Sequence, residues 1–316
     1  MTTTYTVPEQ WDNLVESHGG HPLQLFGWGE VKRATGSWDV VRVADDNNFA
    51  QILIRKTPLG RFGYVPRGNN FDPYFLNELK ATAKQKHLFM LRFEPNVEKS
   101  NWQHKLKLPR DHILIPRTIQ LNLTQPAADL LAAMDAKTRQ YIRRGERDNN
   151  LKIRPATKDD LPRILEIYRE TASRANFPIH PDSYYQTIFA KKGKNNHIYV
   201  ATIDNNVEAF LWCAKTQATC FELYGGATDL GFQHRANYIL KWQTILEAQK
   251  TCKVYDLNGL LNDGISKFKL GFSGGAEIQL APTCDLVINP FRYFLFSGLL
   301  PLFKRFRSAR RTSPSS

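Results

Sequence analysis

Apolar and polar positions alternate over Trp38–Val43 and again over Phe49–Arg55, with the polar run Asp45-Asp46-Asn47-Asn48 between them. That pattern predicts a β-hairpin. Phe62–Pro66 extends the meander, a helix is expected over Tyr74–Lys86, and an apolar strand over Leu88–Glu94 is closed by Pro95. Upstream, Thr6–Ser17 reads as a short helix. Leu25, Trp28 and Val31 then recur at spacings of three, with Gly36 placed as a C-cap. A second series begins after Pro116. It comprises a helix over Gln125–Asp148, a strand over Leu151–Pro155, a helix over Asp159–Ala175 and a further helix from near Pro181. Strands follow at His197–Ile203, Val207–Ala214 and Thr219–Gly226, then a helix over Gln233–Lys250 and a strand over Lys253–Leu257. A helical lead-in, an antiparallel meander, a helix and a strand thus occur twice, although no identity between the halves is evident. The expected fold class is α/β (α+β), built as a duplicated unit.

That element order is the one used by GNAT-type acyltransferases. Those using acetyl-CoA grip its pyrophosphate with a glycine-rich loop, and neither GATDLGFQHRANY nor FDPYF has the closely spaced glycines required. Phosphate-loop, dinucleotide, nucleophile-elbow and zinc-protease motifs do not occur. The histidines are scattered, without metal-ligand spacing, so no metal is expected. The four cysteines form no C-x-x-C pair and are expected to be packed, reduced thiols. The N-terminus has no basic-then-apolar leader pattern. No apolar run approaches the roughly 18 residues of a membrane span.

Charge changes the picture more than composition does. The net charge is +13, and two stretches hold most of it. Lys137–Arg154 has seven basic and two acidic residues, and Pro301–Ser316 has five basic and no acidic ones. Localised excess of this kind suits a polyanion, although a solvated helix face is the plain alternative for each stretch.

The stretch KVYDLNGLLNDGISKFKLGFSGGAEIQL, Lys253–Leu280, combines a buried strand with two turn dipeptides, Asn258-Gly259 and Asp263-Gly264. A short helical piece then sets Phe268 and Phe272 on one face, with Lys269 beside an aromatic ring. Gly271, Gly274 and Gly275 allow sharp turning and close approach of a ligand. The alternative is a helix docked by two core phenylalanines. Glu94, at the end of a buried strand, is a general-base candidate or simply the first residue of a loop. Lys32 and Arg33 fall in the last turn of their helix, where cations suit the helix dipole.

The ordered segments QLFGWGEVK, AQILIRKTPLGRFGYVPRG, KTRQYIRRGER, ETASRANFPIHPDSYY, LYGGATD, ANYILKWQTILEA and YDLNGLLNDGISKFKLGFSGG run through nearly the whole chain. Together they resemble the Fem family (FemABX) of peptidoglycan-bridge aminoacyltransferases. The family's two-GNAT architecture implies a first domain over 1–120, a second over 121–280 and a C-terminal segment, 281–316, returning to the first. The long helical arm of some members is missing.

The resemblance also implies roles. Lys32 looks like the lysine that binds the diphosphate of the wall precursor, and Tyr184 and Tyr224 look like tyrosines lining that site. His180 replaces a common arginine, a departure because histidine is shorter and only partly charged near neutrality. Glu94 stands where an aspartate has been considered as base, and Phe268-Lys269 resembles the pair that meets the acyl-bearing end of tRNA. Lys137, Arg139, Arg143 and Arg144 would hold tRNA phosphates without reading bases. The implied reaction moves an amino acid from aminoacyl-tRNA to a stem-peptide amine of a UDP-linked or lipid-linked muropeptide. No cofactor is expected, because the ester donor is already activated.

The C-terminal stretch VINPFRYFLFSGLLPLFKRFRSARR pairs aromatic and leucine residues with a basic end, which suits a membrane surface or a helix docked on the first domain. The expected location is cytoplasmic, with peripheral contact at the inner membrane face. Two alternatives stay open: acyl transfer to another amine such as a protein N-terminus, and a non-catalytic tRNA- or membrane-binding protein.

Overall fold

The hairpin predicted from alternation forms the middle of the first sheet. The computed structural model describes residues 3–36, 38–192, 195–261 and 264–299. The first half runs β1 (Thr3–Thr4), α1 (Pro8–Ser17), α2 (Phe26–Ala34), β2 (Asp39–Ala44), β3 (Phe49–Thr57), β4 (Gly60–Gly68), α3 (Pro73–Gln85) and β5 (Leu88–Pro95). Asp45 Oδ1 accepts from the N–H groups of Asn47 (2.9 Å) and Asn48 (2.7 Å), which closes the β2–β3 turn. Asp72 caps α3 by accepting from Phe75 N–H at 2.7 Å. Phe75, Leu79 and Ala83 on one face of that helix pack against Ile52, Leu91 and Phe93 of the sheet.

The second half runs β6 (Arg117–Thr118), β7 (Gln120–Asn122), α4 (Ala127–Ala133), α5 (Ala136–Glu146), β8 (Leu151–Pro155), α6 (Leu161–Ala175), α7 (Asp182–Lys192), β9 (Asn196–Ile203), β10 (Asn206–Lys215), β11 (Thr219–Ala227), α8 (Asp229–Gln233), α9 (Ala236–Gln249) and β12 (Val254–Asp256). Then come α10 (Gly264–Leu270), β13 (Ile278–Gln279), β14 (Cys284–Val287) and α11 (Pro290–Phe294). The second sheet has the order β7-β12-β11-β10-β9-β8, and the first β1-β2-β3-β4-β5-β14. Each sheet is an antiparallel meander followed by one parallel neighbour, β4 with β5 and β11 with β12, joined across a helix. The GNAT-like order therefore occurs in both halves. Among the described residues the longest helix is α6 with 15 residues, so no helical arm is present there.

One predicted helix is divided and another starts late. The helix expected over Gln125–Asp148 is α4 and α5, because Asp135 takes an extended conformation. From there its N–H donates to Gly271 O at 2.9 Å and its carboxylate caps α5 through Thr138 N–H at 2.6 Å. The helix expected over Gln233–Lys250 is α9, which starts at Ala236 after Arg235 with φ +59°; the short α8 that ends at Gln233 precedes it.

The halves meet through side chains. Trp28 and Val31 of α2 share a core with Tyr184 and Tyr185 of α7 and with Trp212 of β10. β14 pairs antiparallel with β5 of the first sheet. Arg92 clamps it, with Nε and Nη2 on Asp285 at 2.8 and 2.9 Å, and Tyr293 OH donates to the same carboxylate at 3.0 Å. All four cysteines are buried and free. The turn residue Asp263 and the segment 300–316 lie outside the described residues.

Candidate active site

A cavity of about 680 Å³ opens beside β11, the start of α9 and α10. Phe268, Lys269, Tyr224, Glu222, Lys241, Arg235, Asn237 and Tyr238 are among its lining residues. β11 supplies Glu222 and Tyr224 on either side of a shift in its pairing with β10, so Glu222 meets Lys241 of α9 while Tyr224 joins Tyr168 of α6 and Tyr185 of α7. Asn258, with φ +54°, turns the chain after β12, and its side-chain amide donates to Glu222 O at 3.0 Å. That turn aims two carbonyls at one point, and Lys269 Nζ donates to both, Asn258 O at 2.5 Å and Gly259 O at 3.0 Å. The cation is thereby fixed at the cavity wall.

Phe268 packs edge-on against Tyr238 (4.8 Å) and Phe272 (5.3 Å). Lys241 lies over its ring, with Nζ 5.2 Å from the centroid. Lys241 is in turn neutralised by Glu222, at 2.5 and 2.6 Å to the two carboxylate oxygens, and Tyr255 OH donates to Glu222 at 2.9 Å. Glu222 is the one carboxylate among the described cavity-lining residues.

Tyr224 links the cavity to a second cluster. Lys32 Nζ donates to Tyr184 OH at 2.6 Å and lies 4.6 Å from the Trp28 ring and 5.0 Å from the Tyr184 ring. The His180 ring lies 4.0 Å from that of Tyr184. Tyr184 is also hydrogen-bonded to Tyr224, and burial pushes its hydroxyl up to about 12. Burial lowers Lys32 to about 8, and burial and then the Lys32 charge lower His180. The structure thus brings Lys32, His180, Tyr184 and Tyr224 together, from α2, the α6–α7 loop, α7 and β11.

The basic helix α5 approaches the cavity through aromatic rings. Lys137 and Arg235 both lie over Tyr141, at 5.7 and 4.5 Å. Tyr141 packs on Tyr238 at 4.9 Å, and Tyr238 packs on Phe268. Lys137, Arg143 and Arg144 are exposed. Arg139 differs: its guanidinium donates to Ala132 O at 3.1 Å and to Met134 O, closing the end of α4.

Two readings of the residues need correction. Glu94 is neither a loop residue nor a cavity group. It is 2% exposed and absent from the lining, and it accepts from Tyr64 OH, from Ile113 N–H (2.5 Å), Leu114 N–H (2.9 Å) and Thr283 OH (3.3 Å). A carboxylate with its lone pairs so occupied is a clamp for the 113–115 segment. Gly271 gives close approach to α5 and not to a ligand, since a β-carbon there would lie 2.4 Å from Thr138 Oγ1. Gly274 and Gly275 do take positive φ, +62° and +92°. Arg235, Tyr238, Glu222 and Lys241 carried no sequence motif. Only the spacing of Lys241 within an otherwise apolar helix face hinted at a buried partner.

Among the described residues no group of three or more His, Cys, Asp or Glu is arranged to hold a metal. No described helix is long and apolar enough to cross a membrane.

The fold that carries these residues has known counterparts. Residues 112–211 match the model of the FemAB family, a span containing Lys137, Arg139, Arg143, Arg144, His180 and Tyr184. The crystal structure of FemX superposes with a TM-score of 0.81 at 16% identity, covering 94% of this chain and 100% of that one. A conserved protein of unknown function from Bacteroides thetaiotaomicron VPI-5482 gives 0.61 at 12% identity, covering 90% and 99%. L-PGS from Bacillus licheniformis gives 0.54 at 15% identity, covering 93% and 97%. No curated protein matches the chain by sequence. The chain thus has the fold of FemX, and the FemAB family match lies within that fold.

Proposed function

We propose that the protein is a tRNA-dependent aminoacyltransferase that adds an amino acid to a stem-peptide amine of a peptidoglycan precursor. The observation that carries this reading is the continuity of two anion-suited features with one cavity. On one side the basic face of α5 leads through Tyr141 and Tyr238 to Phe268 and Lys269. On the other, Tyr224 leads to Lys32, Tyr184 and His180. Cationic surface beside clustered aromatic rings suits a single-stranded RNA end. A part-buried lysine hydrogen-bonded to a neutral phenol suits a diphosphate.

The chemistry follows from the groups present. The acceptor amine, with an ordinary pKa of about 10.4, must lose a proton before attacking the ester carbonyl. Attack forms a tetrahedral intermediate bearing an oxyanion, and the fixed Lys269 ammonium would stabilise it. Collapse expels the ribose hydroxyl of the tRNA and leaves an amide. In this reading Glu94 orients the wall of the site through the segment ending at Ile115, which lines the cavity, and is not the base. Donor and precursor meet in the cytoplasm, so the enzyme works there.

The test is incubation of the purified protein with labelled aminoacyl-tRNAs and either the UDP-linked or the lipid-linked muropeptide. Label on one acceptor supports the reaction and names donor and acceptor. Absence of label from both, with tRNA still bound, refutes it.

A further inference from the structure

We infer that α11 and the cations around it form a docking surface for an anionic lipid bilayer. Phe291 and Phe294, three apart on this helix, are 71% and 67% exposed, the largest exposures among the bulky apolar residues described. The helix that carries them is firmly held. Asn289 caps it through Arg292 N–H at 3.0 Å, Tyr293 between the two rings is buried, and its hydroxyl reaches Asp285 at 3.0 Å. Two phenylalanines are thus presented to solvent by an anchored element, against the general tendency to cover such rings.

The surroundings are cationic. Arg292 lines a cavity of about 340 Å³ with Lys84 and His87 from the end of α3. A β-carbon at Gly60 would lie 3.1 Å from Arg292 Nη1, which places the guanidinium at the β3–β4 turn. β3 brings exposed Arg55 and Lys56 toward that turn. One nearby cation, Arg61, is matched by Asp39 at 3.2 Å. The sequence continues after α11 with five basic and no acidic residues over 301–316.

Exposed aromatic rings within a surplus of positive charge fit the boundary between acyl chains and anionic headgroups. The same surplus disfavours a second copy of this chain, because two such faces repel. None of these residues lines the cavity that holds Lys269, so docking leaves that cavity clear. The inference is independent of the proposed reaction. If both hold, the lipid-linked acceptor is the nearer substrate.

The experiment is co-sedimentation of the full chain with vesicles of phosphatidylcholine alone or mixed with phosphatidylglycerol, at low and high salt. Expected are binding to the anionic vesicles alone, weakening with salt, and a loss of about tenfold or more in F291S/F294S with an unchanged melting curve. Equal binding to neutral vesicles, or no binding to either, overturns the inference. So does full binding by F291S/F294S, which would assign attachment to the basic segment alone. A dimer in size-exclusion chromatography that the double variant abolishes, without vesicle binding, would assign the face to self-association. The readout is attachment, so it stands whether or not aminoacyl transfer is found.

Discussion

Substituting Lys241→Met isolates the role of the buried pair beneath Phe268. The Lys241 and Glu222 side chains are 4% and 8% exposed, and their charges meet at 2.5 Å. Methionine matches the aliphatic stem, so little volume is lost, but Glu222 is left as a buried carboxylate with Tyr255 OH as its remaining side-chain donor. Removing one partner of such a pair costs about 3–5 kcal/mol. The surviving tyrosine hydrogen bond places this case near the lower end. The contacts of the ammonium with Phe268 and Phe272, at 5.2 and 5.6 Å, add roughly 0.5–2 kcal/mol. A loss of about 3.5–5 kcal/mol is therefore expected in denaturant unfolding of the purified chain. The control is K241M/E222Q, in which a neutral amide keeps a partner in Tyr255 and no charge remains buried. It should recover about 2 kcal/mol or more of the loss. A single variant costing less than about 1 kcal/mol, or a double variant no better than the single, would refute the account of Lys241 as a neutralised support.

Lys269→Ala should keep precursor and tRNA binding and lose about 100-fold in transfer rate, as removal of an oxyanion donor does; unchanged single-turnover kinetics would remove Lys269 from the chemistry. Lys32 titrates near 8 in the folded chain against 10.5 ordinarily, so folding sheds its proton between those values and stability from this group rises with pH across that window. An anion needs the proton retained. Precursor affinity by calorimetry should therefore fall as pH climbs past about 8, and a flat profile contradicts the role given to Lys32. Gly271→Ala forces a β-carbon to 2.4 Å from Thr138 Oγ1 and 2.9 Å from Asp135 Oδ2. A cost of about 1–3 kcal/mol in unfolding is expected, with none if the contact relaxes freely.

Element identity was legible because the strands are long and alternate, and because both halves follow one order. What failed was continuity within helices. Nothing in the local pattern of residues 125–148 separates Asp135 from its neighbours; its extended backbone is fixed by Gly271, more than a hundred residues away. The same contact explains why Gly271 read as a ligand-facing glycine. The site was legible where a residue's meaning is local, as in the turn at Asn258 that fixes Lys269. It was not legible for Glu94, whose donors Ile113, Leu114 and Thr283 come from distant segments.

The lysines show why residue type alone could not sort function from structure. Lys32 and Lys241 both lie in helices beside aromatic rings and look alike in sequence. The structure separates them by what accepts their protons. Lys241 donates to a carboxylate, so the pair is neutral and the charge is spent on holding Phe268 in place. Lys32 donates to the neutral hydroxyl of Tyr184, and burial depresses its pKa. A part-buried ammonium kept beside a phenol costs stability in the empty protein, and an arriving anion relieves that cost. The same reasoning weighs His180. Its ring lies against Tyr184, but burial and the Lys32 charge both favour its neutral form, so in the proposed reading it would meet a phosphate as a hydrogen-bond donor and stacking partner while Lys32 would carry the charge. Exchanging His180→Arg would then tighten precursor binding chiefly above pH 8, where Lys32 has lost its proton, and a gain equal at all pH would show that the two positions act independently.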